Sequence, residues 1–205
     1  MKINRSPFLS ALLLISFCTF LACTPKKAAA EDPKPILEST SQASVSSLRT
    51  LGFHIFDKPV DIPSFSVISL GNSSDGLKAD STLLSQDLTG KITILNFWAT
   101  WCPPCKREMP SIQRLYEQMQ GTDFQIVAIS AGENKSTVAN FIQTNKYTFP
   151  VYLDEKGSVS ASFASQGIPT TYIVDKSGKI VAGIVGSHEY DSSELISVLK
   201  GLAAQ

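Results

Sequence analysis

Residues 96–110 read NFWATWCPPCKREMP, with Cys102 and Cys105 two residues apart just after an apolar run. A pair at this spacing can be half of a zinc clamp, a structural staple, or a dithiol that exchanges electrons. A structural zinc site needs four ligands. Cys18 and Cys23 belong to the leader segment, where the first is expected to be cleaved away and the second modified; beyond them the chain offers only His54 and His188, each isolated and in no ligand-like spacing. A staple is also weak, because bridging so few residues closes almost no loop and removes little entropy from the unfolded chain. By elimination the pair reads as redox-active.

Its setting supports that reading. ITILNFWA (92–99) is a continuous apolar run, which suits a central strand buried on both faces. After WCPPC, KREMPSIQRLYEQMQ (106–120) places Ile112, Leu115, Tyr116 and Met119 on one helical stripe. The dithiol therefore sits where a strand ends and a helix begins. Unpaired N–H groups and the positive end of the helix dipole favour a thiolate there, and cysteines so placed ionise below the free value of about 8.5. Pro103 and Pro104 fit the first turn, whose N–H groups have no acceptor within the helix. In this geometry Cys102 is expected to face solvent as the attacking thiolate. Cys105 lies against the helix as the resolving thiol.

Further along, FSVISL (65–70), FQIVAIS (124–130), FPVYLD (149–154), TTYIVD (170–175) and KIVAGIVG (179–186) read as extended. STVANFIQTNKY (136–147), SVSASFASQ (158–166) and SSELISVLKGLA (192–203) read as helical. Ser177-Gly178 turns the chain between the last two strands. Alternating strands and helices followed by a hairpin and a closing helix predict an α/β fold, a mixed β-sheet flanked by helices.

The start of the chain differs. Lys2 and Arg5 precede an apolar stretch from Phe8 to Ala22, the pattern of a secretory signal, and its core of about 14 residues is short for a membrane span. The end of this stretch, FLAC, resembles the lipobox of bacterial lipoproteins, although Phe20 and Leu21 stand where that motif usually has Leu and a small residue. The resemblance implies cleavage after Ala22 and a lipid on Cys23; the alternative is ordinary cleavage nearby, leaving Cys23 a free thiol. Residues 24–47, rich in Lys, Pro, Ala, Ser and Glu, read as a flexible tether within the segment 23–47; a short helix over 42–51 packed on the domain is the competing reading. The domain proper is placed at 48–205. Without residues 1–22 the chain carries 16 basic and 18 acidic residues, so no basic field marks a nucleic-acid binder.

Two motifs together, NFWATWCPPCKREMP and GIPTTYIVD (167–175), resemble those of the TlpA/ResA-like thiol:disulfide oxidoreductases, an extracytoplasmic branch of the thioredoxin superfamily. The likeness covers roughly Pro63 to the C-terminus. It implies a thioredoxin-like fold with an N-terminal extension. It also implies a cis-proline at Pro169 that presents the Ile168 backbone to a substrate peptide beside Cys102, and a helix-kinking role for Pro110. Asn96 stands where thioredoxin itself has a buried Asp. The branch instead carries a functional Glu three residues after the second cysteine, the place of Glu108, which shares a helix face with Cys105. A solvated carboxylate paired with a nearby Lys is the plainer alternative for Glu108. Trp98 is expected to pack, and Trp101 to shield the site and contact substrate. His188 and Tyr190 receive no role.

The implied activity is reduction of disulfide-containing proteins, apocytochrome c haem-site cysteines among them. Electrons would come from a membrane dithiol donor, and neither a metal nor a cofactor is called for. Two other readings are a thiol peroxidase, against which the adjacent C-x-x-C speaks, and a binding module with vestigial cysteines, against which the intact motifs speak.

Overall fold

In the computed structural model, residues 45–74 and 76–205 are described. The signal segment 1–22, Cys23 and the tether up to residue 44 lie outside the described residues. Within the described part, residues 45–50 form a helix (α1), and Leu48 on it is fully buried against a core that includes Phe53. Of the helix over 42–51 that competed with the tether reading, residues 45–50 are helical and residues 42–44 lie outside the described residues. The apolar side of a single turn outweighs the polar composition around it.

Among the described residues, eight strands form one mixed sheet: β1 (His54–Asp61), β2 (Ser66–Ser69), β3 (Thr82–Leu84), β4 (Ile92–Trp98), β5 (Phe124–Ala131), β6 (Val151–Asp154), β7 (Thr170–Val174) and β8 (Lys179–Val185), in the order β1-β8-β7-β4-β5-β6-β2-β3. The β4–β5 and β5–β6 pairs are parallel. β7 is antiparallel to β4, and β8 to β7. The helices are α2 (Pro103–Gln118), α3 (Lys135–Asn145), α4 (Ser158–Phe163) and α5 (Ser193–Ala203). Every residue of β4 is buried, as a strand covered on both faces requires.

Successive side chains of β4 serve two cores. Ile92, Ile94 and Trp98 join a cluster with Leu48 of α1, Met109 and Ile112 of α2, Val138 of α3 and Leu199 of α5. Leu95 and Phe97 join the opposite cluster with Phe65, Val127 and Phe163 of α4. The polar Asn96 alternates onto the α2 side, beneath the active-site helix. The hairpin between β7 and β8 turns at Gly178, whose φ of 79° suits glycine. The Asp175 carboxylate accepts from the backbone N–H groups of Ser177 and Lys179 there.

Candidate active site

Cys102 caps the N-terminus of α2, with Pro103 and Pro104 in the first turn. The two cysteines form a disulfide, and the Cys105 backbone N–H points at Cys102 Sγ from 3.3 Å. On reduction that N–H and the dipole of a 16-residue helix face the Cys102 sulfur, which stabilises negative charge on it.

Cys102 is less open than the sequence implies. It is 3% exposed, whereas its neighbour Trp101 is 64% exposed. Its sulfur sits under the loop before β7: the Ile168 carbonyl oxygen is 3.7 Å from Cys102 Sγ, and the Ile168–Pro169 peptide bond is cis. In the disulfide the sulfur has no proton to donate, so this approach is a contact and not a hydrogen bond. Trp98 is buried and packs against Phe141. Pro110 lies inside α2.

Glu108, one turn after Cys105, is 1% exposed, so it is not a solvated helix carboxylate. Asn96 Nδ2 donates to its Oε1 at 2.9 Å, and the His188 backbone N–H donates to its Oε2 at 3.2 Å. Burial pushes its pKa from 4.5 to about 7, outweighing the two hydrogen bonds that lower it; Glu189 adds a smaller repulsion. The carboxyl therefore changes charge near neutrality, a property suited to trading a proton with a thiol.

Other groups complete the site. Tyr190, fully buried, donates its O–H to Thr171 Oγ1 at 2.6 Å, and Asn96 Nδ2 donates to the same oxygen at 2.8 Å. Burial raises the Tyr190 pKa, so the phenol stays protonated. Burial lowers that of the His188 side chain, whose ring packs edge-on against Phe53 and Tyr190. Before the dithiol, Glu133 anchors the loop: its carboxylate accepts from the Thr100 N–H at 2.8 Å, from Ser130 Oγ at 2.9 Å, and from the Thr100 hydroxyl.

Asn96, Glu133, Thr171, His188 and Tyr190 were not assigned a role in the site from sequence. One signal was present: a polar Asn96 inside a largely apolar central strand demands a buried partner. Among the described residues no group of three or more His, Cys, Asp and Glu side chains is placed to hold a metal.

Residues 61–182 match the model of the AhpC/TSA family. The chain belongs to that family. It is 34% identical over 134 residues to the thiol-disulfide oxidoreductase ResA of Bacillus cereus, an alignment spanning 65% of this chain and 73% of ResA. Against ResA of Bacillus subtilis the identity is 39% over 101 residues, 49% of this chain and 56% of the relative. Among solved structures, a thiol:disulfide interchange protein of the thioredoxin family from Chlorobium tepidum superposes with TM-score 0.57 at 28% identity, covering 72% of this chain and 99% of that one. StoA of Bacillus subtilis gives 0.52 at 27% identity, covering 65% and 96%. The fold is thioredoxin-like, and the protein is a thiol-disulfide oxidoreductase of the ResA type, as its two motifs imply.

Proposed function

We propose that this chain is an extracytoplasmic oxidoreductase, tethered through a lipid on Cys23, that reduces protein disulfides with the Cys102–Cys105 dithiol. The Cys102 thiolate attacks one sulfur of a substrate disulfide; a mixed disulfide forms and the other substrate sulfur leaves as a thiolate. Cys105 passes its proton to the Glu108 carboxylate and attacks Cys102 Sγ, releasing the second substrate thiolate and closing the Cys102–Cys105 disulfide. Two electrons have then moved to the substrate, and a membrane dithiol donor restores the reduced enzyme by the same exchange in reverse. Trp101 and the Ile168–Pro169 loop flank the reacting sulfur, where a substrate peptide would lie. Haem-site cysteines of apocytochromes c are the substrate class that the resemblance suggests.

The observation that carries this reading is the disulfide at the α2 N-terminus with a buried carboxyl one turn beyond it. A solvent-exposed staple would need no such carboxyl. Trapping tests it. Cys105→Ser keeps the attacking sulfur and removes the resolving one, so membrane-associated cell extracts should yield mixed disulfides on Cys102 that mass spectrometry identifies. Partners bearing C-x-x-C pairs support the reading. If no disulfide-bearing protein is captured on Cys102 beyond the level of a Cys102→Ser/Cys105→Ser control, protein disulfide reduction is refuted.

A further inference from the structure

Asn96 is the junction of a buried hydrogen-bond chain. Its Nδ2 spends one proton on Glu108 Oε1 and the other on Thr171 Oγ1, while Tyr190 O–H donates to that same Thr171 oxygen. The chain crosses three elements: Asn96 on β4, Thr171 on β7 and Glu108 on α2. A second link closes it, because Tyr190 N–H donates to Ser111 Oγ, which donates to the Glu108 carbonyl. Within this chain Asn96 Nδ2 is the donor that reaches the Glu108 carboxylate itself, and a donor there favours its charged form.

The other side of the amide is unusual. Asn96 Oδ1 is buried and has no hydrogen-bond partner among the described residues. A buried orphan acceptor is costly, and it is balanced here only while Nδ2 serves a charged partner. Turning the amide over would aim Oδ1 at Glu108 and Thr171. There it could accept the proton of a neutral Glu108 carboxyl and that of the Thr171 hydroxyl, with Tyr190 still donating to Thr171. Asn96 thus has two hydrogen-bonding settings, one for each charge state of Glu108. An ionised aspartate could not serve both, because it has no donor to offer a carboxylate.

We propose that Asn96, held by Thr171 and Tyr190, is a positioning residue that sets when Glu108 holds or gives up its proton. Its consequence for turnover rests on the reading above, in which Glu108 takes the proton of Cys105. The titratable groups around Glu108 are Cys105 on its own helix and His188, Glu189 and Tyr190 of the segment before α5. Tyr190 stays protonated and the His188 ring neutral near pH 7, and Glu189 repels the charged form. Asn96 and the His188 N–H are the groups that donate to it.

The test measures Glu108 directly. Oxidised full-length protein carrying carbon-13 at its glutamate carboxyls is titrated by NMR, with the Glu108 signal assigned through Glu108→Gln. Wild type should titrate near 7. Asn96→Leu removes the donor and should raise the midpoint by about one pH unit, the roughly tenfold effect of one hydrogen bond to a charged group. Tyr190→Phe keeps the ring and volume, frees Thr171 to rotate, and should move the midpoint the same way by less. It keeps the test decisive if Asn96→Leu does not fold. Midpoints unmoved in the folded variants would overturn the proposal.

A kinetic arm separates this outcome from failure of the underlying reading. Reduced protein mixed with the aromatic disulfide dithionitrobenzoate releases one coloured thiolate as Cys102 attacks and a second as Cys105 resolves. Glu108→Gln should abolish the pH dependence of the second release that the Asn96 and Tyr190 variants displace. If Glu108→Gln leaves that dependence intact, the role of Glu108 in resolution fails, while the NMR midpoints still decide whether Asn96 sets its proton.

Discussion

Cys102→Ser is expected to lower insulin-disulfide reduction to the background rate of the added reductant, a loss on the order of a thousandfold or more, since serine offers no thiolate for exchange. The fold should survive. Cys102 sits at a helix cap, where serine is favoured, and its side chain already accepts the Cys105 N–H, a bond that a hydroxyl also makes. Circular dichroism and the unfolding midpoint of the fully reduced proteins should therefore coincide. The binding-module alternative makes the opposite forecast: wild type and variant would be equally inert. Because the assay needs only insulin and a reductant, it separates catalysis from display without knowledge of the natural substrate.

Glu108 gives the second large effect, and its sign follows from burial. Folding raises its pKa from 4.5 to about 7, so between these values the folded state binds the proton more tightly than the unfolded state does. The associated stability is fully present below about 4.5 and is lost as pH rises through about 7, a total of roughly 3 kcal/mol. Urea unfolding of the oxidised protein should show stability falling from pH 5 to pH 8, beyond the trend contributed by other groups. Glu108→Gln should remove this component and flatten the profile. The glutamine amide can accept from Asn96, although its nitrogen then faces the His188 N–H; that mismatch lowers stability at every pH without restoring the slope. Parallel profiles for wild type and variant would show that the buried carboxyl does not titrate in this range.

What could be read from the chain follows the distance over which each feature is determined. The apolar run of β4, the stripe of α2 and the Ser177-Gly178 hairpin are local patterns; the strand and hairpin boundaries agree with the structure to within a residue, while α2 begins three residues earlier than its helical pattern, at Pro103. β1 carries Asp57, Lys58 and Pro59 and is largely exposed at the sheet edge. Its strand character comes from pairing with β8 and not from its own alternation. α1 depends on one buried leucine within a polar stretch.

The site divides in the same way. Cys102 and Cys105 were legible from spacing and from the strand-to-helix junction. Glu108 and Pro169 needed a resemblance. Tyr190 lies 19 residues from Thr171, and Asn96 lies 75 from it; no local pattern records such meetings. The expected exposure of Cys102 was wrong for a related reason: the loop that covers it arrives from 66 residues away.

The chemistry starts from the Cys102 sulfur at the N-terminus of α2, where a backbone N–H and the helix dipole favour negative charge. The direct measurement is the rate of single-hit alkylation by iodoacetamide of the fully reduced protein across pH 4 to 10, with the modified site located by mass spectrometry. Cys102 should react first, with a midpoint below the free-cysteine value of about 8.5. A midpoint at or above that value, or preferential labelling of Cys105, would contradict the assignment of Cys102 as the nucleophile.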